Sequence, residues 1–248
     1  MGAALRIVYR TVSGFMIHKA ELTRTTGQCG AVTLIQRFGS ALNLNVHFHM
    51  LIPDGVYLAD ADPPYLKALS APTRAELQAL VQRISERIGR HLERKGLLVR
   101  DLDSSHLART LGDTEDALTD LQAHSITYRV ATGPHKGRKA FMLQSLLPRG
   151  EPPGDDRVAQ ASGFSLHAGV AAGANQRDKL ERLCRYIARP AVAIERLSLT
   201  AQGHVRYALK TPYRDGTTHV IFEPLDFLAR LAALVPSPGV NLTRYHTP

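Results

Sequence analysis

His47 and His49 stand two residues apart in residues 41–52, ALNLNVHFHMLI, a run that alternates apolar and polar side chains. In an extended strand, Leu42, Leu44, Val46, Phe48, Met50 and Ile52 fall on one face, and Asn43, Asn45, His47 and His49 on the other. Two imidazoles on one face, about 6–7 Å apart along the strand, can converge on a single ion. By itself the pattern equally suits a half-exposed strand with two solvent-facing histidines. The second chemical element is Tyr186 in residues 175–189, NQRDKLERLCRYIAR, expected as a helix N-capped by Asn175 and ended by Pro190. Leu180, Leu183, Cys184 and Ile187 recur at i, i+3, i+4 and i+7, and Tyr186 lies about 110° from the centre of that stripe, on its flank. Arg182 and Arg189 are its neighbours on the helix surface. A phenol between guanidinium groups suits a nucleophile attacking a phosphodiester, because cations stabilise phenolate charge and hold the phosphate. A boundary tyrosine on a basic helix has the same pattern.

The elements that must hold these residues read as alternating strands and helices. Residues 5–20 carry a helical pattern, residues 30–38 a strand, and Gly39 opens the connection into the histidine strand. Asp54-Gly55 is a turn leading into residues 56–58. The clearest helix opens at Pro72-Thr73, with Thr73 and Glu76 forming a capping box. Its stripe is Leu77, Leu80, Val81, Ile84, Ile88 and Leu92, and Gly96 closes it. A short helix is expected over 114–123, a hairpin of 126–131 with 139–147 around TGPHKGR, and a loop over 148–162.

The chain of 248 residues is 44% hydrophobic and 21% charged, which argues for a folded core and against wholesale disorder. Its 31 Lys and Arg against 22 acidic residues give a net charge of +9, which points to a polyanionic partner, most simply nucleic acid. Two distant cysteines, Cys29 and Cys184, point to a reducing compartment and leave no cysteine-based zinc module. No apolar run is long enough for a membrane span and no signal-peptide plan is present, so a cytoplasmic location is expected. Candidate phosphate contacts are Lys136, Arg138 and Lys139 at one hairpin tip. Lys210 and Arg214 flank the base-stacking candidate Tyr213 in another, and Arg37 and Arg185 complete the set.

Three long strings, GAVTLIQRFGSALNLNVHFHMLIPDGVY, LERLCRYIARPAVA and LKTPYRDGTTHVIFEPLDFLARLAALVP, together resemble the rolling-circle transposases of the insertion-sequence 91 type and their common-region relatives. The resemblance runs from about Leu5 to Tyr245. These are members of the HUH superfamily of single-strand endonucleases, whose motif corresponds here to His47-Phe48-His49. The resemblance implies an α+β fold: a central antiparallel sheet carrying the histidines, with helices packed on it and the tyrosine on a nearby helix. It implies one catalytic domain over residues 1–248, with residues 194–248 a possible hairpin-and-helix appendage. Relatives carry an N-terminal cysteine-rich zinc module and continue beyond NLTRYH, so a chain truncated at both ends is expected.

The implied chemistry is nicking and transfer of single-stranded DNA at element ends through a 5′-phosphotyrosine on Tyr186, assisted by Arg182 and Arg189. A divalent ion, Mg²⁺ or Mn²⁺, would be held by His47, His49 and a third ligand. Relatives place Glu or Gln upstream, which makes Gln36 the first choice and His167 the rival. Two-tyrosine relatives carry a second tyrosine where this chain has Arg182. That resembles the single-tyrosine branch and leaves open whether another tyrosine takes part. The implied location is bacterial cytoplasm, with the nucleoid when acting on DNA. Two other readings are a non-catalytic DNA-binding remnant and a metal-dependent hydrolase that uses water.

Overall fold

The structure, a computed structural model, describes residues 2–100, 105–107, 117–145 and 157–247. In chain order the elements are α1 (Gly2–Lys19), β1 (Gly27–Gln28), β2 (Ala31–Phe38), β3 (Leu44–Leu51), β4 (Gly55–Leu58), β5 (Leu66–Ala68) and α2 (Arg74–Arg94). Then follow β6 (Leu98–Arg100), β7 (Ser105–Leu107), α3 (Ala117–Ile126), β8 (Phe141–Gln144), β9 (Val158–Ala161), β10 (Phe164–His167) and α4 (Arg177–Ile187). A 3₁₀ turn (Ile194–Arg196) precedes β11 (Leu197–Leu199), β12 (Val205–Ala208), β13 (Thr217–Phe222), α5 (Pro224–Leu234) and β14 (Thr243–His246). The fold is α+β, and every strand pairing among the described residues is antiparallel.

Two sheets position the site. The first has the order β14-β2-β3, and the second β11-β12-β13-β8. In β2 the odd-numbered residues Ala31, Thr33, Ile35 and Arg37 are buried while the even ones are half-exposed, so the strand has one packed face and one open face. Register puts Gln36 opposite His47 and Leu34 opposite His49, all on the open face. The packed face meets helices: the Leu44 amide donates to Ser125 Oγ of α3 at 2.8 Å. The second sheet turns Tyr207, Val220 and Phe222 into the largest core cluster, with Ala41, Leu42 and Ala140. Residues 194–247 are interleaved with the rest, since β14 pairs with β2 and β13 with β8.

Helix α2 carries the expected capping box, Thr73 with Glu76, and Gly96 beyond its end has φ +67. Leu80, Ile84 and Ile88 pack on Ile7, Val8, Val12 and Phe15 of α1, whereas Leu77 and Val81 pack on Ala159 of β9. One amphipathic helix thus joins α1 to the β9–β10 hairpin.

Several expectations need correction. The histidine strand is β3, Leu44–Leu51, shorter than 41–52. Leu42 has φ 57 and belongs to the connection, and Val46 is 43% exposed rather than buried. A register shift between Gln36 and Phe38 breaks the alternation there. Helix α3 extends to Ile126, beyond the expected end at Ala123; residues 114–116, where its start is expected, lie outside the described residues. The hairpin expected around TGPHKGR is reduced to one bridge, Arg129 with Lys139, because Phe141–Gln144 pairs with β13 instead. That pairing turns Met142 toward the core cluster. Within 148–162, residues 148–156 lie outside the described residues, and Val158–Ala161 is a strand. Ser162 and Gly163, both at positive φ, turn it into β10.

Gly39 in the β2–β3 connection has a specific steric role. A Cβ there would lie 2.4 Å from Asn43 Oδ1, and Asn43 is buried. Gly39→Ala is therefore expected to lower stability by about 1–3 kcal/mol, read as a reduced urea midpoint at unchanged slope.

Candidate functional site

Antiparallel pairing alone brings Gln36, His47 and His49 together on the open face of β2 and β3. The two imidazole centroids are 6.3 Å apart with planes tilted by 40°. The Gln36 amide is fixed at both ends: Nε2 donates to the Phe38 carbonyl at 3.1 Å, and Oε1 faces His49 Nε2 at 3.2 Å. Two adjacent ligand atoms of an octahedral ion with bonds near 2.1 Å stand about 3 Å apart, so this spacing fits a shared cation. Partial desolvation holds the His47 imidazole below its ordinary pKa. Burial, then the neighbouring His47, then the Arg189 charge do the same for His49. Both rings are therefore neutral near pH 7, the form that ligates metal. No group of three or more His, Cys, Asp or Glu side chains gathers among the described residues, so an ion here would draw on Gln36 for its third protein ligand. His167 lies on β10, in the hairpin packed on α2, rather than on the sheet of His47 and His49.

Tyr186 is on the last turn of α4 and 46% exposed. The helix begins at Arg177 with Gln176 as N-cap, not at the expected Asn175; the Gln176 side chain accepts from the Gly173 amide at 3.2 Å and closes the preceding turn. Arg189, just past the helix, stacks its guanidinium 4.2 Å from the Tyr186 ring centroid. The same Arg189 charge contributes to the lowered pKa of His49, so it lies within electrostatic reach of the histidine pair. The second cation on the ring is Lys210 Nζ at 4.8 Å, not Arg182, which is exposed on α4. Lys210 arrives on the β12–β13 connection, so no spacing around Tyr186 signals it.

A cleft of about 340 Å³ opens beside this ring. Its wall includes Tyr186, Arg189, Arg196, Tyr207, Lys210, Tyr213 and Arg214, with Gly39 and Ser40 from the β2–β3 connection. Four cations and no carboxylate line it, a composition suited to phosphate. Arg196 is the cation of this wall that the sequence did not single out; it stacks on the Tyr207 ring at 4.9 Å.

The other cations divide. Arg37 is buried, 8% exposed, with desolvation lowering its guanidinium pKa and its Nε lacking a partner, so it is withdrawn from the expected surface contacts. Arg185 is held by Glu181 at 2.7 Å on the exposed side of α4, and Lys136 by Asp120 at 2.7 Å. Arg138 and Lys139 border a separate cleft. No helix among the described residues is long and apolar enough to cross a membrane.

No curated protein and no solved structure matches the chain. The family model Y2_Tnp, described as "Putative transposase", matches residues 30–247, the span that contains the histidine pair, the tyrosine helix and the basic cleft. The chain belongs to this transposase family.

Proposed function

We propose that this transposase nicks and rejoins single-stranded DNA through Tyr186, in the manner of the HUH rolling-circle enzymes, with residues 1–248 working as one catalytic unit. The observation that carries the reading is the position of Arg189, stacked on the Tyr186 ring and acting electrostatically on His49. One cation within electrostatic reach of both the phenol and the histidine pair supports a shared site for nucleophile and ion.

In the proposed reaction Tyr186 Oη attacks the scissile phosphorus in line. The Oη–P bond forms and the P–O3′ bond breaks, the phenol releases its proton, and the leaving 3′ oxygen takes one up. The product is a 5′-phosphotyrosine and a free 3′-OH, and attack by a new 3′-OH reverses the step onto another strand. Arg189 and Lys210 hold the phosphate oxygens and offset developing charge. His47, His49 and Gln36 would hold a divalent ion, Mg²⁺ or Mn²⁺, which when bound supplies Lewis-acid polarisation of a non-bridging oxygen. Imidazole ligation favours Mn²⁺ over Mg²⁺ in vitro.

The test is a denaturing gel with single-stranded DNA from an element terminus. Wild-type chain with Mn²⁺ is expected to give a slower covalent band that does not form when EDTA is present from the start and that His47→Ala with His49→Ala lacks. Cleavage without any covalent band would point instead to hydrolysis by water, and binding without cleavage to a non-catalytic remnant.

The lowered imidazole pKa values also set a pH dependence. Protons compete with metal only once pH falls through the folded-state pKa, which lies below the ordinary value of about 6.5. Mn²⁺ affinity by titration calorimetry is expected to be level between about pH 8 and 7 and to fall only below about pH 6.5. A steep fall already between pH 8 and 7 would contradict neutral ligands.

A further inference from the structure

We propose that the outer face of the β11-β12-β13-β8 sheet is a second platform for single-stranded DNA, with Phe141 as a stacking ring and Arg138, Lys139 and Arg206 as phosphate contacts. The inner face of this sheet is core, formed by Met142, Val220 and Tyr207. Alternation therefore sends Phe141 and Leu143 of β8 outward, with the exposed Lys139 two residues before the strand. Ile221 lies opposite Phe141 and Arg206 opposite Ile221, so two apolar side chains on this face are followed by a guanidinium, whose Nε donates to Ser198 Oγ of β11 at 2.9 Å.

Phe141 is 65% exposed and Leu143 is 37% exposed, beside a cleft of about 530 Å³. An exposed aromatic within an apolar strip marks a binding surface. Its surroundings identify the occupant. Arg138, Lys139 and Arg206 border the cleft and outnumber its two carboxylates, of which one is buried. Glu223 faces His135 at 3.6 Å, and Asp226 is buried against Arg230. A ring that accepts any base by stacking, edged by cations that hold phosphates, matches a single nucleic-acid strand better than an apolar protein segment.

The platform is separate from the Tyr186 cleft. Consecutive residues of β12 mark the two sites: Tyr207 lines the catalytic cleft and Arg206 this one. The proposal extends the nicking function to a strand held at two places, but its evidence is independent of Tyr186.

The test uses the full chain in EDTA and fluorescence anisotropy with an oligothymidylate of about 30 nucleotides, long enough to cover more than one single-strand site. Phe141→Ala is expected to weaken binding about 5- to 150-fold, the loss of one stacked base. Lys139→Ala and Arg206→Ala are each expected to reduce the slope of log affinity against log salt by about 0.7. Adduct formation on a saturating short substrate should be unchanged in Phe141→Ala and Arg206→Ala. With wild-type chain, photocrosslinking of a bromodeoxyuridine-substituted strand should label the peptide containing Phe141, a readout that needs no variant.

Two results would overturn the platform. One is unchanged affinity in a Phe141→Ala chain with wild-type circular dichroism and melting. The other is a wild-type dimer that Phe141→Ala converts to monomer at unchanged DNA affinity, which would assign the face to a second copy of the chain. A chain that forms no adduct yet loses affinity at Phe141 would retain the platform and refute the nicking reaction.

Discussion

Tyr186→Phe is expected to abolish the covalent protein–DNA band, a loss of at least about 10³-fold, while leaving stability within about 0.5 kcal/mol of wild type. The substitution removes one hydroxyl and nothing else. The ring that Arg189 and Lys210 stack against remains, so the cations keep their partner. Helix α4 has no buried residue, and the ring is 46% exposed, so packing has little to lose. The neighbouring tyrosines of the cleft are poor substitutes. Tyr207 is 1% exposed and burial raises its pKa, which opposes ionisation. The Tyr213 hydroxyl is engaged, accepting from Ser40 at 3.1 Å and hydrogen-bonded with Tyr128. A residual band in Tyr186→Phe that disappears on Tyr213→Phe would move the nucleophile.

The largest expected loss of stability is at Asp226, far from the chemistry. Asp226 and Arg230 are 3% and 2% exposed on α5. Asp226 Oδ2 accepts from Arg230 Nε at 3.4 Å, and its Oδ1 accepts from the Ala131 amide at 3.2 Å. Arg230 also donates to the Arg129 carbonyl at 3.0 Å and lies over the Phe222 ring. The pair therefore fastens the segment after α3 to α5. Asp226→Ala would strand a guanidinium whose pKa desolvation already lowers and which Asp226 supports, at a cost of about 3–5 kcal/mol. Because removing both charges avoids the stranded cation, Asp226→Leu with Arg230→Met should recover most of that loss. Urea unfolding checks both; a loss under about 1 kcal/mol in Asp226→Ala would mean that the pair is not the fastening it is described as.

What was legible in the sequence follows from how local each signal is. The β2–β3 pair could be read because Gly39 separates two alternating runs, but the Phe38–Leu44 register alone would set Gln36 opposite Val46, and the shift that brings it opposite His47 has no local signal. The capping box and stripe of α2 are equally local. Helix α4 was legible as amphipathic, but periodicity does not say whether a stripe is covered, and none of its residues is buried. Lys210 was visible as a cation in a basic hairpin. That it rests on Tyr186 is a contact between the β12–β13 connection and α4, segments distant in sequence that no local pattern joins. Arg37 read as a surface cation from composition, yet strand alternation alone would have put it beside Ile35 and Thr33 on the packed face.

The central claim is that Tyr186 becomes joined to DNA while the histidine pair holds the metal. Mass spectrometry of the proteolysed adduct, formed with Mn²⁺ on a terminus-derived single strand, tests it most directly. The predicted result is one peptide spanning Tyr186 that carries the 5′-phosphate of the downstream fragment, with a free 3′-OH on the upstream one. A nucleotide on any other residue, or cleavage products with no modified peptide, would contradict it.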